Sequence, residues 1–396
     1  MRRGFRPRRA RRPTLHRLTV ATAPRASRAE KERVVRDFVR LCEIESPSGR
    51  ERAVADAVAD ELRQIGLQPT EDGTGAEIES DAGNVLARVP GPAGSRTILL
   101  CAHLDTVPLA GPVEVMDDDG VLSNRHEAIL GADNKAAVAT ILGAARRFAA
   151  DGPPVGLELL FTTREETGLA GAKAFDRGAL TAEFGFVFDH ASPIGDLIVS
   201  APTHYQVEGR FRGQAAHAGI RPEEGRNAIA AAASAVAALE FGRLDDQTTA
   251  NVGRIEGGSA LNVVAESCNV EIEVRSLDHD RAGEVLSRVV DSLTAGASDA
   301  ECDVELIVQE HFHAYRIPRS APAVIAASAA LEGLRIEPRC IPTGGGSDAH
   351  VFQARGLPCL NVANGTERNH QPDERVTVAA LETMLDVTLG IVAHST

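Results

Sequence analysis

An α/β fold interrupted by a smaller inserted unit is what this sequence of 396 residues predicts. Three observations carry that reading. Apolar strand-like runs alternate with amphipathic helical segments from residue 29 to 201, the order that builds a sheet covered by helices on both faces. From 202 to 314 the order becomes strand, helix, strand, strand, helix, strand, the ferredoxin-like βαββαβ arrangement. Helical and strand character of the first kind then returns over 315–396, so one α/β/α sandwich domain is split in two by the inserted unit. Residues 1–28 stand outside both as a disordered basic tail, with ten Arg and no acid.

The elements follow in order. Val34, Val35, Phe38, Val39 and Leu41 recur at helical spacing. Ser48-Gly49-Arg50-Glu51 has the Ser-x-x-Glu form of a capping box and predicts the start of a second helix through Val54, Val58, Leu62 and Ile65. Residues 84–89 and 97–104 read as strands, the second almost continuously apolar, as expected for a strand covered on both faces. A helix over 135–149 precedes a buried strand at 155–162, and a further strand ends at Asp189. In the inserted unit the spacing predicts strands at 205–211, 248–256, 268–276 and 303–310, with helices at 227–239 and 281–295. Helices at 321–331 and 381–393 complete the first domain.

Composition excludes several classes. Hydrophobic residues at 43% and charged residues at 25% are ordinary for a globular chain and exclude a disordered or collagen-like one. No apolar run approaches the roughly 18–20 residues of a membrane-spanning helix. The net charge of −14 hides an imbalance: without residues 1–28 there are 32 basic against 56 acidic residues, a net of −24. So acidic a body excludes a nucleic-acid partner and raises the question of whether some carboxylates hold cations. Six Cys lie at 42, 101, 268, 302, 340 and 359 without paired spacing. With no leader segment evident, they read as reduced thiols of a cytoplasmic protein.

Candidate chemistry gathers at strand ends. His103 and Asp105 are two apart at the end of an apolar strand and so share a face, where open α/β sheets place their ligands. Alone, the pair reads equally as a structural hydrogen bond. Asp133, in Gly131-Ala132-Asp133-Asn134-Lys135, is either the N-cap of the helix that follows or a ligand. Glu165 and Glu166 end another strand; adjacent acids there form a solvated turn, or divide labour between metal binding and proton transfer. Asp189 ends a buried run, and His370 lies in a loop. Two imidazoles and several carboxylates suit zinc or a similar divalent ion.

Together the segments HLDTVP at 103–108, GADNK at 131–135, TREETGLAGAK at 163–173, Asp189, RGQAAHAG at 212–219, GGGSDAH at 344–350 and NH at 369–370 resemble the di-zinc metallopeptidase and deacylase family. That family includes peptidase T, glutamate carboxypeptidase, acetylornithine deacetylase and succinyl-diaminopimelate desuccinylase. The likeness spans residues 30–392 and is greatest to the peptidase T-like branch. It implies that Asp133 bridges two metal ions, with His103 and Asp189 on one and Glu166 and His370 on the other. It further implies that Asp105 orients His103, that Glu165 is the general base, and that His217 in the inserted lid helps stabilise the oxyanion, in some relatives across a dimer. Asn262, Arg275, Gly345, Gly346 and Ser347 match substrate contacts.

Three ligand carboxylates against two divalent ions leave a net of +1, enough to bring the pKa of a shared water towards about 7. The resulting expectation is an enzyme hydrolysing short peptides with two divalent ions, zinc first and manganese or cobalt as alternatives, and with a homodimer through the lid. An N-acyl-amino-acid deacylase or carboxypeptidase of the same chemistry is the alternative. No membrane partner is expected, and His190, beside Asp189, reads as an incidental neighbour.

Overall fold

The structure, a computed structural model, describes residues 24–396. Most of the predicted basic tail lies outside the described residues. Its last residues belong to the fold: the Ala26 amide donates to Asp386 at 2.6 Å, and Ser27 and Glu30 form a capping box that starts helix Arg28–Cys42.

A nine-stranded mixed sheet is the centre of the larger body. Strands Gly156–Thr162, Thr97–His103, Phe184–Val187 and Cys359–Val362 lie side by side and parallel. Antiparallel strands flank this core, including Val85–Val89 on one side and Asp196–Ala201 on the other. Period-two alternation assigns the two faces. Ile98, Leu100 and Ala102 point into a cluster with helices Arg28–Cys42, Ala132–Asp151, Pro322–Gly333 and Val378–His394. Leu99 and Cys101 point the other way, onto the short helices Ala170–Ala174 and Asp348–Ala354. Each of these strand side chains is fully buried, a contribution of about 1.5–3 kcal/mol for each large aliphatic one. The predicted three-layer α/β class is therefore observed.

Between Thr203 and Phe312 the chain forms a five-stranded antiparallel sheet. Its order places strand Thr203–Arg212 between Ser267–Ser276 and Asp303–Phe312, with Thr248–Gly257 outside Ser267–Ser276. That is the ferredoxin-like order, extended by a short strand Gly242–Asp245. Tyr205, Val207 and Phe211 alternate inwards to meet helices Ala228–Ala237 and His279–Asp299. Among the described residues, the core of this unit draws only on its own side chains.

A third, four-stranded sheet was not expected. Val115–Asp118 and Val121–Asn124 form a hairpin onto which Arg375–Thr377 and Thr366–Glu367 add. It carries the loop of His370 to the rim of the main sheet. A local expectation also fails: Ser48 and Glu51 make no capping box, and helix Arg52–Gln64 starts without a side-chain cap. Both side chains are used elsewhere, as described below. All six cysteines are free, and all but the half-buried Cys340 are buried.

Candidate metal centre

The carboxyl ends of the parallel strands and their following loops converge on one cleft. His103 closes its strand and is almost wholly buried. Its Nε2 lies 3.2 Å from Asp133 Oδ1 and 3.7 Å from Asp189 Oδ1. Its Nδ1 faces Asp105, 2.9 Å from the main-chain oxygen and 3.4 Å from Oδ1. On the far side, His370 Nε2 is 3.3 Å from Asp133 Oδ2 and 2.9 Å from Glu166 Oε1. Asp133 therefore stands between two histidines, one on each carboxylate oxygen. Ligand atoms of His103, Asp133 and Glu166, and separately of His103, Glu165 and Asp189, lie within 4.8 Å of one another.

Supporting residues explain how these side chains stay free for chemistry. Helix Ala132–Asp151 begins irregularly: Gly131 takes φ +76, and Asp133 is non-helical and caps nothing. The orphan amides of Leu130, Gly131 and Asp133 are taken instead by the Glu374 carboxylate, at 2.8, 2.7 and 2.9 Å. Asp133 is thereby released from the N-cap role its position allowed. Asp105 accepts the amides of Glu165 at 2.9 Å and Glu166 at 3.1 Å, and the Ser48 hydroxyl at 2.6 Å. Glu51 accepts from the amides of Gly49 and Arg164 and from Ser80, tying three loops behind the site. Asn361 holds the backbone of Asp189 from both sides.

The electrostatics follow from burial. Among the described residues, Asp133, Asp189, Glu165 and Glu166 pair with no Lys or Arg; His103 and His370 are the charged partners of Asp133, Asp189 and Glu166. Burial, then the neighbouring Asp189 charge, holds Glu165 well above the usual carboxylate range. Burial lifts Asp189 to about 7 against the pull of His103, and also raises Glu166. His370, held by Asp133 and Glu166, is pushed up to about 10. Burial disfavours charge on His103, yet its bonds to Asp105, Asp133 and Asp189 outweigh that and raise it. Four carboxylates sharing two imidazoles are an anionic site short of positive charge. The donor set fits two divalent cations.

The cleft outside this centre has a volume of about 540 Å³. One wall holds Glu165, Glu166, His370, Gly345 and Gly346; the other, from the inserted unit, holds Arg275, His204, Gln206, His311 and Phe312. Arg275 donates to the Gly344 carbonyl at 2.9 Å, bridging the walls, and is also held by Glu273. Ser347 is buried as the N-cap of helix Asp348–Ala354 and does not line the cleft. His217 and Asn262 are exposed neighbours in the inserted unit, joined through the Ala218 amide and Asn262 carbonyl at 2.9 Å, and neither lines it. His190 spends both ring nitrogens locally, on Ser192 at 2.9 Å and Thr343 at 3.0 Å.

Glu374, Asn361, His204, Gln206, His311 and Phe312 have no local signature and went unseen in the sequence. Only for Glu374 was there a hint, an acid four residues beyond His370 in one loop.

Residues 99–394 match the profile of Peptidase family M20/M25/M40. The Bacillus subtilis protein YqjE is 30% identical over 366 residues, 92% of this chain and 99% of that one. The structure of aminopeptidase PepT from Bacillus cereus superposes with a TM-score of 0.85 at 32% identity, covering 92% of this chain and 98% of that one. A tripeptidase from Staphylococcus aureus superposes with a TM-score of 0.88 at 28% identity, covering 95% and 99%. With fold, motif order and cleft chemistry in agreement, this chain belongs to Peptidase family M20/M25/M40, as a metal-dependent hydrolase of its peptidase T-like branch.

Proposed function

We propose that the enzyme hydrolyses amide bonds of short peptides, with His103, Asp133 and Asp189 holding one divalent ion and Asp133, Glu166 and His370 the other. The observation that carries this is the group of four buried carboxylates that, among the described residues, has two histidines and no Lys or Arg against it, at the floor of a cleft with Arg275 on the wall opposite. Bound there, two divalent ions, zinc by donor type, would supply Lewis acidity towards the carbonyl and towards water.

The chain's own residues supply the rest. Glu165, raised by burial, is poised to take a proton from the attacking water and return it to the leaving amine. Asp105 fixes the orientation of His103 and, through the Glu165 and Glu166 amides, the position of both acids. Arg275, Gly345 and Gly346 face the bound peptide, Arg275 as the cation for a carboxylate or carbonyl.

We also propose the division into 29–201 with 315–396 as catalytic domain and 202–314 as lid, a reading that the two separate cores support. His217 and Asn262 we assign to the cleft of a second copy. Near them in the chain Ile220 and Leu261 are exposed, Leu261 completely; Ile255 is exposed on strand Thr248–Gly257, whose second half is, among the described residues, an unpaired sheet edge. An exposed edge with apolar side chains is what a two-fold partner covers.

The test is hydrolysis by metal-reconstituted protein, using tripeptides against N-acetyl and N-succinyl amino acids, with wild type beside Glu165→Gln. Tripeptide cleavage is expected, with Glu165→Gln slower by about 10²–10⁴ and still holding its metal. Preference for acylated amino acids moves the assignment to the deacylases; a folded wild type that cleaves no amide with zinc, manganese or cobalt sinks it.

A further inference from the structure

The end of strand Asp303–Phe312 carries a second group of metal-type side chains, behind the sheet from the cleft. Strand pairing creates it. Glu310 pairs with Tyr205 and Phe312 with His204, which leaves His311 as an extra residue, a bulge. Because of the bulge, consecutive residues His311 and Phe312 both line the cleft. Glu310, directly opposite the inward-facing Tyr205, is left on the helix side of the sheet. There it meets His313 and His279, the first residue of helix His279–Asp299.

One ligand atom from each of His279, Glu310 and His313 lies within 4.8 Å of the other two. The two imidazole rings are 3.8 Å apart between centroids, and His313 Nδ1 is 3.1 Å from Glu310 Oε1. Tetrahedral zinc, with bonds of about 2.0–2.1 Å, sets its ligand atoms roughly 3.3 Å apart, so side-chain rotation closes the remaining gap. A positioning partner is already in place. The buried Thr203 hydroxyl accepts the Ala314 amide at 2.9 Å and lies 3.1 Å from His279 Nδ1. In the tautomer whose Nδ1–H donates to Thr203, Nε2 keeps its lone pair outward, the arrangement of a metal-binding histidine. Asp278 and Asp280 flank His279 and offset the positive end of the helix.

We propose that His279, Glu310 and His313 form a further divalent-metal site, selective for zinc-class ions, separate from the cleft. Two imidazoles and one carboxylate leave the bound ion a net +1 and an open fourth position for water. The site spans the junction of the two bodies: His313 lies in the return connection, just before Tyr315 pairs with Ala201 in the main sheet. An ion there ties the lid helix to that connection and stiffens the strand end that presents His311 and Phe312 to the cleft.

The experiment uses full-length protein equilibrated with zinc at graded free concentrations, with bound metal measured by atomic spectroscopy. His313→Gln and Glu310→Gln alter partly exposed side chains, and circular dichroism verifies each fold. Wild type is expected to bind one equivalent more than either variant, or to bind its last equivalent at least about tenfold more tightly. In an Asp133→Ala/His370→Ala background, one zinc should remain and be lost on adding His313→Gln. Equal stoichiometry and affinity in wild type and both variants overturns the site.

Discussion

At the scale of single residues, the site depends on groups that never touch a substrate. Glu374 is the clearest. It replaces the missing cap of the helix that follows Asp133, and it does so from the far end of the chain. Glu374→Ala should strand three amides and let the Gly131–Asp133 loop shift. Metal affinity at the cleft is expected to fall about 10–100-fold, measurable by competition with a chelator, while the fold survives. His350 supplies a pH effect. Burial, more than any charged neighbour, pushes its pKa down to about 4, with the ring packed against Phe312 and Tyr315. An unfolded chain protonates this histidine near 6.5, whereas the folded one keeps it neutral down to about 4. Between those values the unfolded state binds the extra proton, so stability falls as pH drops from 6.5 to 4, by about 3 kcal/mol in total. Above 6.5 the contribution is complete. Urea unfolding at pH 7 and pH 4.5 should show a smaller acid loss for His350→Asn than for wild type.

Among the elements, close approach is the constraint that decides tolerance. Gly171, in helix Ala170–Ala174, packs so tightly that a Cβ would stand 2.1 Å from the Thr163 carbonyl oxygen and 2.7 Å from Asn84 Oδ1. Gly171→Ala must push the helix off the Thr163–Leu169 loop, which holds Glu165 and Glu166. Denaturant unfolding should report a loss of about 1–3 kcal/mol, and kcat should fall with it. Elements of this kind also mark where sequence reading succeeds and stops. The continuously apolar strands that lead to His103, Glu165 and Asp189 were legible because a doubly covered strand has a distinctive composition and its end is where ligands sit. The βαββαβ order was legible from spacing alone. Ser48 and Glu51 were misread, because a capping-box pattern is local, and the tertiary partners Asp105, Ser80 and Arg164 outcompete it. The four-stranded sheet joins a hairpin at 115–124 to strands 250 residues later, and short, partly exposed strands carry little periodicity. His204 and His311 reach the cleft through cross-strand pairing and a bulge, which no single segment encodes.

For the whole molecule, the proposed place of His217 in a second copy's cleft would make the oligomeric state a kinetic matter. Leu261→Asp with Ile220→Asp should yield a monomer by analytical ultracentrifugation, with kcat reduced to the level of His217→Ala. Mixing inactive Glu165→Gln with inactive His217→Ala should restore about a quarter to a half of the activity, since one cleft in the mixed dimer is intact. Persistence of full activity in the monomer would remove His217 from the partner's cleft. The cysteines bear on the molecule in another way. Cys42, Cys101 and Cys359 sit in the larger body and Cys268 and Cys302 in the lid, all buried, with desolvation raising each thiol. A thiol-specific reagent reaches each only when its surroundings open, so the chain carries its own reporters of breathing motion, sorted between two bodies. The order in which they label ranks how often the lid loosens against how often the catalytic sheet does, under native conditions and without any added probe on the fold.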